Sequence, residues 1–271
     1  MGSQQREQTS LSKRSCILVL GMHRSGTSAL TRVLSLAGAA LPADLMGPSV
    51  GNELGHWESK RIVAFHDELL NSLGSAWDDW RYLDLSNISA ENRAKLKLNM
   101  NKVIDLDYGD ATLFAIKDPR VCRFASILLE VLDEAGIDVR IILPFRHPLE
   151  VCESLKKRDG TDLTQSVLLW LRHVLDAELA SRGRTRVCIS YEGLLADWRG
   201  TLDHVSSTLK VDWPHDIDSV APQIDAFLSP NHRHQAHDHA VLSSKPLLAG
   251  LVADTLHNLE KIAESGDSDE T

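Results

Sequence analysis

The sequence predicts an α/β fold of the P-loop type: three layers, with a central mostly parallel sheet flanked by helices. Three observations carry that expectation. Apolar runs of strand length alternate with stretches of helical periodicity, the pattern of a parallel sheet covered on both faces. One such run, Cys16–Leu20, enters a glycine-bracketed turn from which a helix begins. No repeat and no Gly-, Pro- or Ser-rich linker divides the 271 residues, a length suited to one large α/β domain. The expected organisation is a polar, disordered segment at 1–14, a single domain at 15–263 and an acidic tail at 264–271.

The elements follow in order. Strands are expected near 16–20, 112–116, 139–144 and 186–190, where short apolar runs end in turn signals. Helices are expected near 26–38, 58–73, 89–104, 122–135, 148–157, 162–181, 198–210 and 247–263. Gly38 and Gly136 fall where the first and fourth of these should stop, and Pro148 sets the first turn of the fifth. In the sixth, Leu163, Val167, Trp170, Leu171 and Val174 recur at helical spacing, which assigns Trp170 to the core. The stretch Leu41–Gly55, with Pro42, Gly47, Pro48, Gly51 and Gly55, is long for a simple connection. It reads either as the wall of an acceptor pocket or as a plain surface loop.

Composition excludes several classes. A net charge of −9 argues against a general nucleic-acid binder, so any anion site must be a local basic pocket in an acidic body. Cys16, Cys122, Cys152 and Cys188 are scattered without metal-type spacing and read as buried, reduced thiols. No apolar run approaches the ~18 residues of a membrane span, and the N-terminus lacks a signal-peptide core. A cytoplasmic protein is the expectation. His232, His234, His237 and His239 lack a cysteine or ordered acidic partner and read as a polar loop rather than a metal site.

Three motifs carry chemistry. Gly21-x4-Gly26 has the spacing of a nucleotide-binding loop, which aims backbone N–H groups at an anion. Thr27-Ser28 follow in place of the usual Lys-Ser/Thr, and Arg24 supplies the positive charge from inside the loop. Lys117-Asp118-Pro119-Arg120 ends an apolar strand, at the edge where open α/β sheets place ligands. Read alone, it also suits a surface salt bridge in a turn. Arg146 ends the next strand, Ser154 lies two turns into the following helix, and Arg158 is one turn further. Arg146 and Ser154 could share a phosphate; the plainer alternative is a strand-end arginine beside a solvated Lys156-Lys157-Arg158 face.

Taken together, the loop at 21–28, Lys117 with Asp118-Pro119, and Arg146 with Ser154 resemble the PAPS-dependent sulfotransferase family. The Arg-Ser-Gly-Thr form of the loop and the Lys-Asp-Pro step look most like the tyrosylprotein and bacterial branches. Ser190-Tyr191-Glu192-Gly193-Leu194-Leu195 is similar to the family's late strand-to-helix step, whose tyrosine lies near the adenosine. The resemblance runs over roughly 16–210; the 41–55 loop and the chain after Lys210 match it less clearly. It implies 3′-phosphoadenosine 5′-phosphosulfate (PAPS) as donor and adenosine 3′,5′-bisphosphate (PAP) as product, with no metal required. His23, Arg24, Ser25, Gly26, Thr27 and Ser28 would hold the 5′-phosphosulfate, Arg146, Ser154 and Arg158 the 3′-phosphate, and Tyr191 the adenosine. Arg24 and Lys117 would stabilise the transition state. The base would be Glu58, which opens the expected helix 58–73 and should stay ionised there; His56 and Glu53 are the alternatives. The acceptor would be a hydroxyl of a glycan or small molecule. An atypical P-loop kinase or NTPase, and a protein that binds PAP without turnover, remain the competing readings.

Overall fold

The structure, a computed structural model, describes residues 13–49, 52–228 and 249–265. Four parallel strands form one sheet in the order β2-β1-β3-β4: β1 Ser15–Val19, β2 Leu113–Lys117, β3 Asp138–Phe145 and β4 Arg186–Ser190. β1 is central. Its Val19 faces Lys117 of β2 on one side and Ile142 of β3 on the other, and Phe145 of β3 faces Ser190 of β4. The register therefore brings Lys117, the residues after Val19, Arg146 and Tyr191 to the same carboxyl-end edge. The chain leaves β1 and crosses to either neighbour, and that switch point is where open α/β sheets bind their ligands.

The strand period of two sorts the buried side chains onto two faces. Ile17 and Val19 point, with Ala115, Ile142, Val187 and Ile189, into one apolar cluster. That face is covered by α1 (Thr27–Leu36), α8 (Trp198–Leu209) and α9 (Ile217–Phe227) through Leu30, Leu34, Leu202, Val205 and Ile224. Cys16, Leu18, Phe114, Ile116, Ile141 and Leu143 point to the other face. There they meet α2 (Lys60–Ser72), α3 (Ala90–Tyr108), α4 (Ala125–Glu134), α5 (Pro148–Asp159), α6 (Leu163–Ser181) and α10 (Ala249–Ser265). A short α7 (Tyr191–Ala196) turns the chain out of β4. Both faces are thus closed, as the sequence expects of a three-layer fold.

Trp170 is fully buried in α6, and all four cysteines are buried free thiols. Burial holds the Cys152 thiol up at about 12, so it is an inert core group. Gly38 and Gly136 follow the ends of α1 and α4 with φ of 111° and 69°, the left-handed stops expected of them. The expected helix 122–135 begins instead with a 3-10 turn, Pro119–Phe124, because Asp118 caps it: its carboxylate accepts the Arg120 backbone N–H at 3.1 Å. The histidine-rich stretch 232–239 lies outside the described residues.

α2 matters most for the site, and its start is clamped. Ser59 is its N-cap, accepting the Ile62 backbone N–H at 2.9 Å. The Ser59 hydroxyl also donates to the fully buried carboxylate of Asp107 on α3, which pairs with Arg61 at 2.5 Å. Asp107→Ala leaves both donors without this acceptor. It is expected to lower stability by about 1–3 kcal/mol, read as a shift in the urea midpoint at constant m-value. An unchanged midpoint would show that the clamp contributes nothing.

Candidate active site

The loop between β1 and α1 bends as an anion cradle must. Arg24 and Gly26 both adopt left-handed φ, 67° and 81°, and Gly26 is the N-cap of α1 without any side-chain cap. No acidic residue stands in the first turn of α1 to offset the positive end of the helix, and Gly26, Thr27 and Ser28 line a cavity there. At Gly26 a Cβ would overlap the Tyr191 ring, so the close approach of loop and tyrosine needs glycine there. The Ser25 hydroxyl is buried and has no hydrogen-bond partner among the described residues.

Lys117 closes the cradle from the neighbouring strand. It is 3% exposed, and its Nζ donates to Ser28 Oγ at 3.0 Å and to Glu58 Oε1 at 2.5 Å. Glu58 is 5% exposed. The sequence placed Glu58 as the first residue of a helix, with its carboxylate kept ionised by the helix N-terminus. That is corrected: Ser59 takes the cap, α2 starts at Lys60, and Glu58 turns inward to the lysine. Burial raises its carboxyl above the ordinary value, and the Lys117 ammonium only partly opposes this. Glu58 is therefore a stronger base than an exposed glutamate. His56 stands beside the pair; its backbone carbonyl accepts the Ser28 hydroxyl at 3.2 Å, and its Nε2 lies 2.7 Å from Ser49 Oγ. Burial first, then the charges of Lys117 and Arg158, hold His56 below its usual value. Glu53 lines the cavity in front of the loop.

Behind Lys117 sits a buried anchor. Asp118 accepts from Arg120 at 2.9 Å and lies 2.7 Å from His66 Nδ1, with neither His66 nor Asp118 exposed. Arg120 reaches on to Asp67 at 2.6 Å. His66 and Asp67 belong to α2, so the strand end that carries Lys117 is tied to the helix that begins just after Glu58. Burial alone would raise the Asp118 carboxyl, but the His66 hydrogen bond and the Arg120 charge hold it well below the usual carboxylate range.

On the other side of the loop the arginines gather. Arg24 Nε donates to Ser154 Oγ at 2.7 Å, and Arg146 donates to the Arg24 carbonyl at 3.4 Å. Ser154 thus meets Arg24, whose carbonyl meets Arg146; the sequence reading had Ser154 and Arg146 share a phosphate, and the two stand on either side of Arg24. Arg146 also pairs with Glu150 and lies over the Tyr191 ring, 4.9 Å from its centre. Arg158 pairs with Asp159 and stacks on Trp77 rather than joining Arg146. His23 turns away from the cradle, edge-on to Trp77 at 5.0 Å, its Nε2 shielded and without a hydrogen-bond partner among the described residues. Burial and the neighbouring charge of Arg158 hold the Arg24 guanidinium below its ordinary value, with Arg146 adding to the effect. An anion placed among these cations would relieve that repulsion.

A cavity of about 270 Å³ runs along this edge from Arg24, Ser28 and Arg146 to an apolar end formed by Trp57, Leu195 and Phe227. The Trp57 and Phe227 rings meet edge to face at 6.3 Å, and Arg32 lies 4.6 Å from the Trp57 ring centre. The sequence reading missed these residues. The family model described as Sulfotransferase family matches residues 16–215. The chain belongs to the sulfotransferase family.

The fold of this sulfotransferase has solved counterparts. The sulfotransferase domain of the Synechococcus PCC 7002 olefin synthase is 22% identical, with a TM-score of 0.50 over 96% of this chain and 98% of that one. Sulfotransferase STF9 from Mycobacterium avium is 14% identical, with a TM-score of 0.54 over 93% and 77% of the two chains. At these identities the likeness is one of fold. No curated protein matches the chain. Among the described residues, no helix is long and apolar enough to cross a membrane, and no cluster of His, Cys, Asp or Glu is arranged to hold a metal ion.

The Asp118 anchor of the sulfotransferase has a measurable signature. A depressed carboxyl contributes stability above its unfolded value near ~3.9 and loses it as pH falls towards the folded value. Asp118→Asn is expected to be less stable than wild type at pH 7 by roughly 1–3 kcal/mol. Denaturation curves should show the gap narrowing below about pH 4; a gap of constant size at every pH would mean that the carboxylate charge holds nothing.

Proposed function

We propose that this sulfotransferase transfers a sulfuryl group from PAPS to a hydroxyl of a glycan or small-molecule acceptor, with Glu58 as general base. The observation that carries the reading is the line Ser28–Lys117–Glu58: one buried ammonium touches both the anion loop and a carboxylate of raised proton affinity. Sulfuryl transfer resembles phosphoryl transfer in needing in-line positioning and charge stabilisation more than covalent help. The loop amides and Arg24 hold the phosphosulfate. Lys117 stabilises charge on the oxygen that leaves with PAP, and its hydrogen bond shifts from Glu58 to that oxygen. The freed carboxylate takes the acceptor's proton as the new sulfur–oxygen bond forms and the old one breaks.

The rest of the cavity supports the same donor. Arg146, with Arg24 and Ser154 beside it, offers the charge that a 3′-phosphate requires. Tyr191, Trp57 and Phe227 offer aromatic surface for a base at the cavity's apolar end.

Thermal shift tests the donor. Because ligand that binds only the folded state raises its apparent stability, PAP should raise the melting temperature at concentrations where AMP and Mg·ATP do little. Arg146→Ala should cut affinity for PAP by about tenfold or more while leaving the weak affinity for AMP alone. Equal losses for both nucleotides would remove Arg146 from the 3′-phosphate, and a larger shift with Mg·ATP would favour an NTPase. Lys117→Ala should lower turnover far more than it weakens PAP binding, since its charge matters most as the sulfuryl group departs. Wild-type turnover in that variant would overturn its role.

A further inference from the structure

The connection between α2 and α3 carries Trp77, Trp80 and Tyr82, of which sulfuryl transfer itself uses none. Trp77 stands against the anion loop, 5.0 Å from the His23 ring and beneath the Arg158 guanidinium at 5.2 Å. A few residues on, Trp80 is 43% and Tyr82 72% exposed. Single exposed aromatics need no explanation. Here, however, buried and partly buried polar groups fix the backbone that displays them. Arg123, whose side chain is fully buried and paired with Asp176, donates to the carbonyls of Asp79 and Arg81. Arg172 donates to the Trp80 carbonyl at 3.1 Å and lies 5.8 Å from the Tyr82 ring centre. Asp79 accepts the Arg81 backbone N–H at 3.0 Å, the Arg81 guanidinium at 2.7 Å and the Ser75 hydroxyl at 3.1 Å. Beside Trp80 opens a shallow concavity of about 410 Å³, lined by Asp78, Asp79, Arg81 and Gln165.

We propose that this loop is a saccharide subsite that holds the acceptor outside the transfer centre, an inference that rests on the sulfotransferase reading above. A pyranose ring has an apolar C–H face and a rim of hydroxyls that both donate and accept. Trp80 and Tyr82 supply flat apolar surface for the face. Asp78 and Gln165 offer acceptors and donors to the rim, while Asp79 and Arg81, paired with each other, brace the loop. A preformed loop binds with less loss of freedom than one ordered by its ligand. The concavity has the volume of a small-molecule site, ~300–1,000 Å³, and its mixed polar lining favours a sugar over an apolar protein anchor. Trp77, on the same connection, packs against His23 of the anion loop, so the segment that displays Trp80 and Tyr82 is tied to the loop that forms the cradle.

The test separates acceptor from donor. Fluorescently labelled protein with PAP present is applied to a printed array of plant, microbial and animal oligosaccharides, and thermal shift with PAP is recorded in parallel. Wild type should bind a subset of the glycans. Trp80→Ala and Tyr82→Ala should each lower that binding about tenfold while keeping the wild-type melting temperature and PAP shift. Absence of glycan binding by a wild type that responds to PAP would overturn the subsite and leave the donor reading standing. So would glycan binding equal in both variants and wild type. Loss of the PAP response in wild type would instead strike at the donor reading.

Discussion

The buried contact between Lys117 and Glu58 is the interaction on which the rest of the site depends. Removing a carboxylate and an ammonium from water is expensive, and their attraction offsets that only when geometry and surrounding hydrogen bonds are good. Both conditions come from secondary structure. Lys117 is fixed by its place in β2, opposite Val19 of the central strand. Glu58 is fixed by the helix at its carboxyl side: Ser59 caps α2 and is gripped by Asp107, while further along the helix His66 and Asp67 are bound to the Asp118–Arg120 turn. Each partner of the pair is thus anchored to the element that carries the other. A shift of α2 along its axis would separate the charges and leave both stranded in low dielectric.

The same edge of the sheet concentrates positive charge in a protein whose net charge is −9. Arg24, Arg146 and the uncapped start of α1 lie within one concavity, and the arginine charges act against one another there. Such an arrangement stores no chemistry of its own. It suits an anion because the cost of gathering the cations is met in folding, before any ligand arrives. The fold supplies this economically: the carboxyl ends of four parallel strands deliver the loop after β1, Lys117, Arg146 and Tyr191 side by side.

Local pattern made most of this legible. The strands, the main helices and the Lys117 and Arg146 positions follow from apolar runs, glycine stops and strand ends, because a buried parallel sheet leaves little freedom in where those residues go. What local pattern missed has physical reasons. α9 was obscured by Pro222 in its interior, although Asp216 caps it and Val220, Ala221 and Ile224 give it a buried face. With α9 unseen, Phe227 could not be placed in the cavity. Trp57 adopts a φ of 58°, a conformation that no propensity assigns to tryptophan. Glu58 and Ser59 both suit a helix start, and the choice between them was made by Lys117 and Asp107, residues ~50 positions away that bury one and bind the other. The hydrogen bond from Arg24 to Ser154 had no local signal, because it depends on the left-handed backbone of Arg24 and joins residues far apart in sequence.

The central claim is that Glu58, with its raised proton affinity, removes the acceptor's proton. On the proposed mechanism, cleavage of PAPS by water takes the same path, and measuring it requires no knowledge of the natural acceptor. Its rate in single turnover, measured across pH 5–9 for wild type and Glu58→Gln, is the most direct test. In wild type the rate should fall as pH drops through an ionisation lying above the ordinary glutamate value of ~4.3. Glu58→Gln should cleave the donor about 10²-fold more slowly and lose that dependence, with PAP affinity retained. A variant with the wild-type rate and pH profile would contradict the account and move the search for the base to His56 and Glu53.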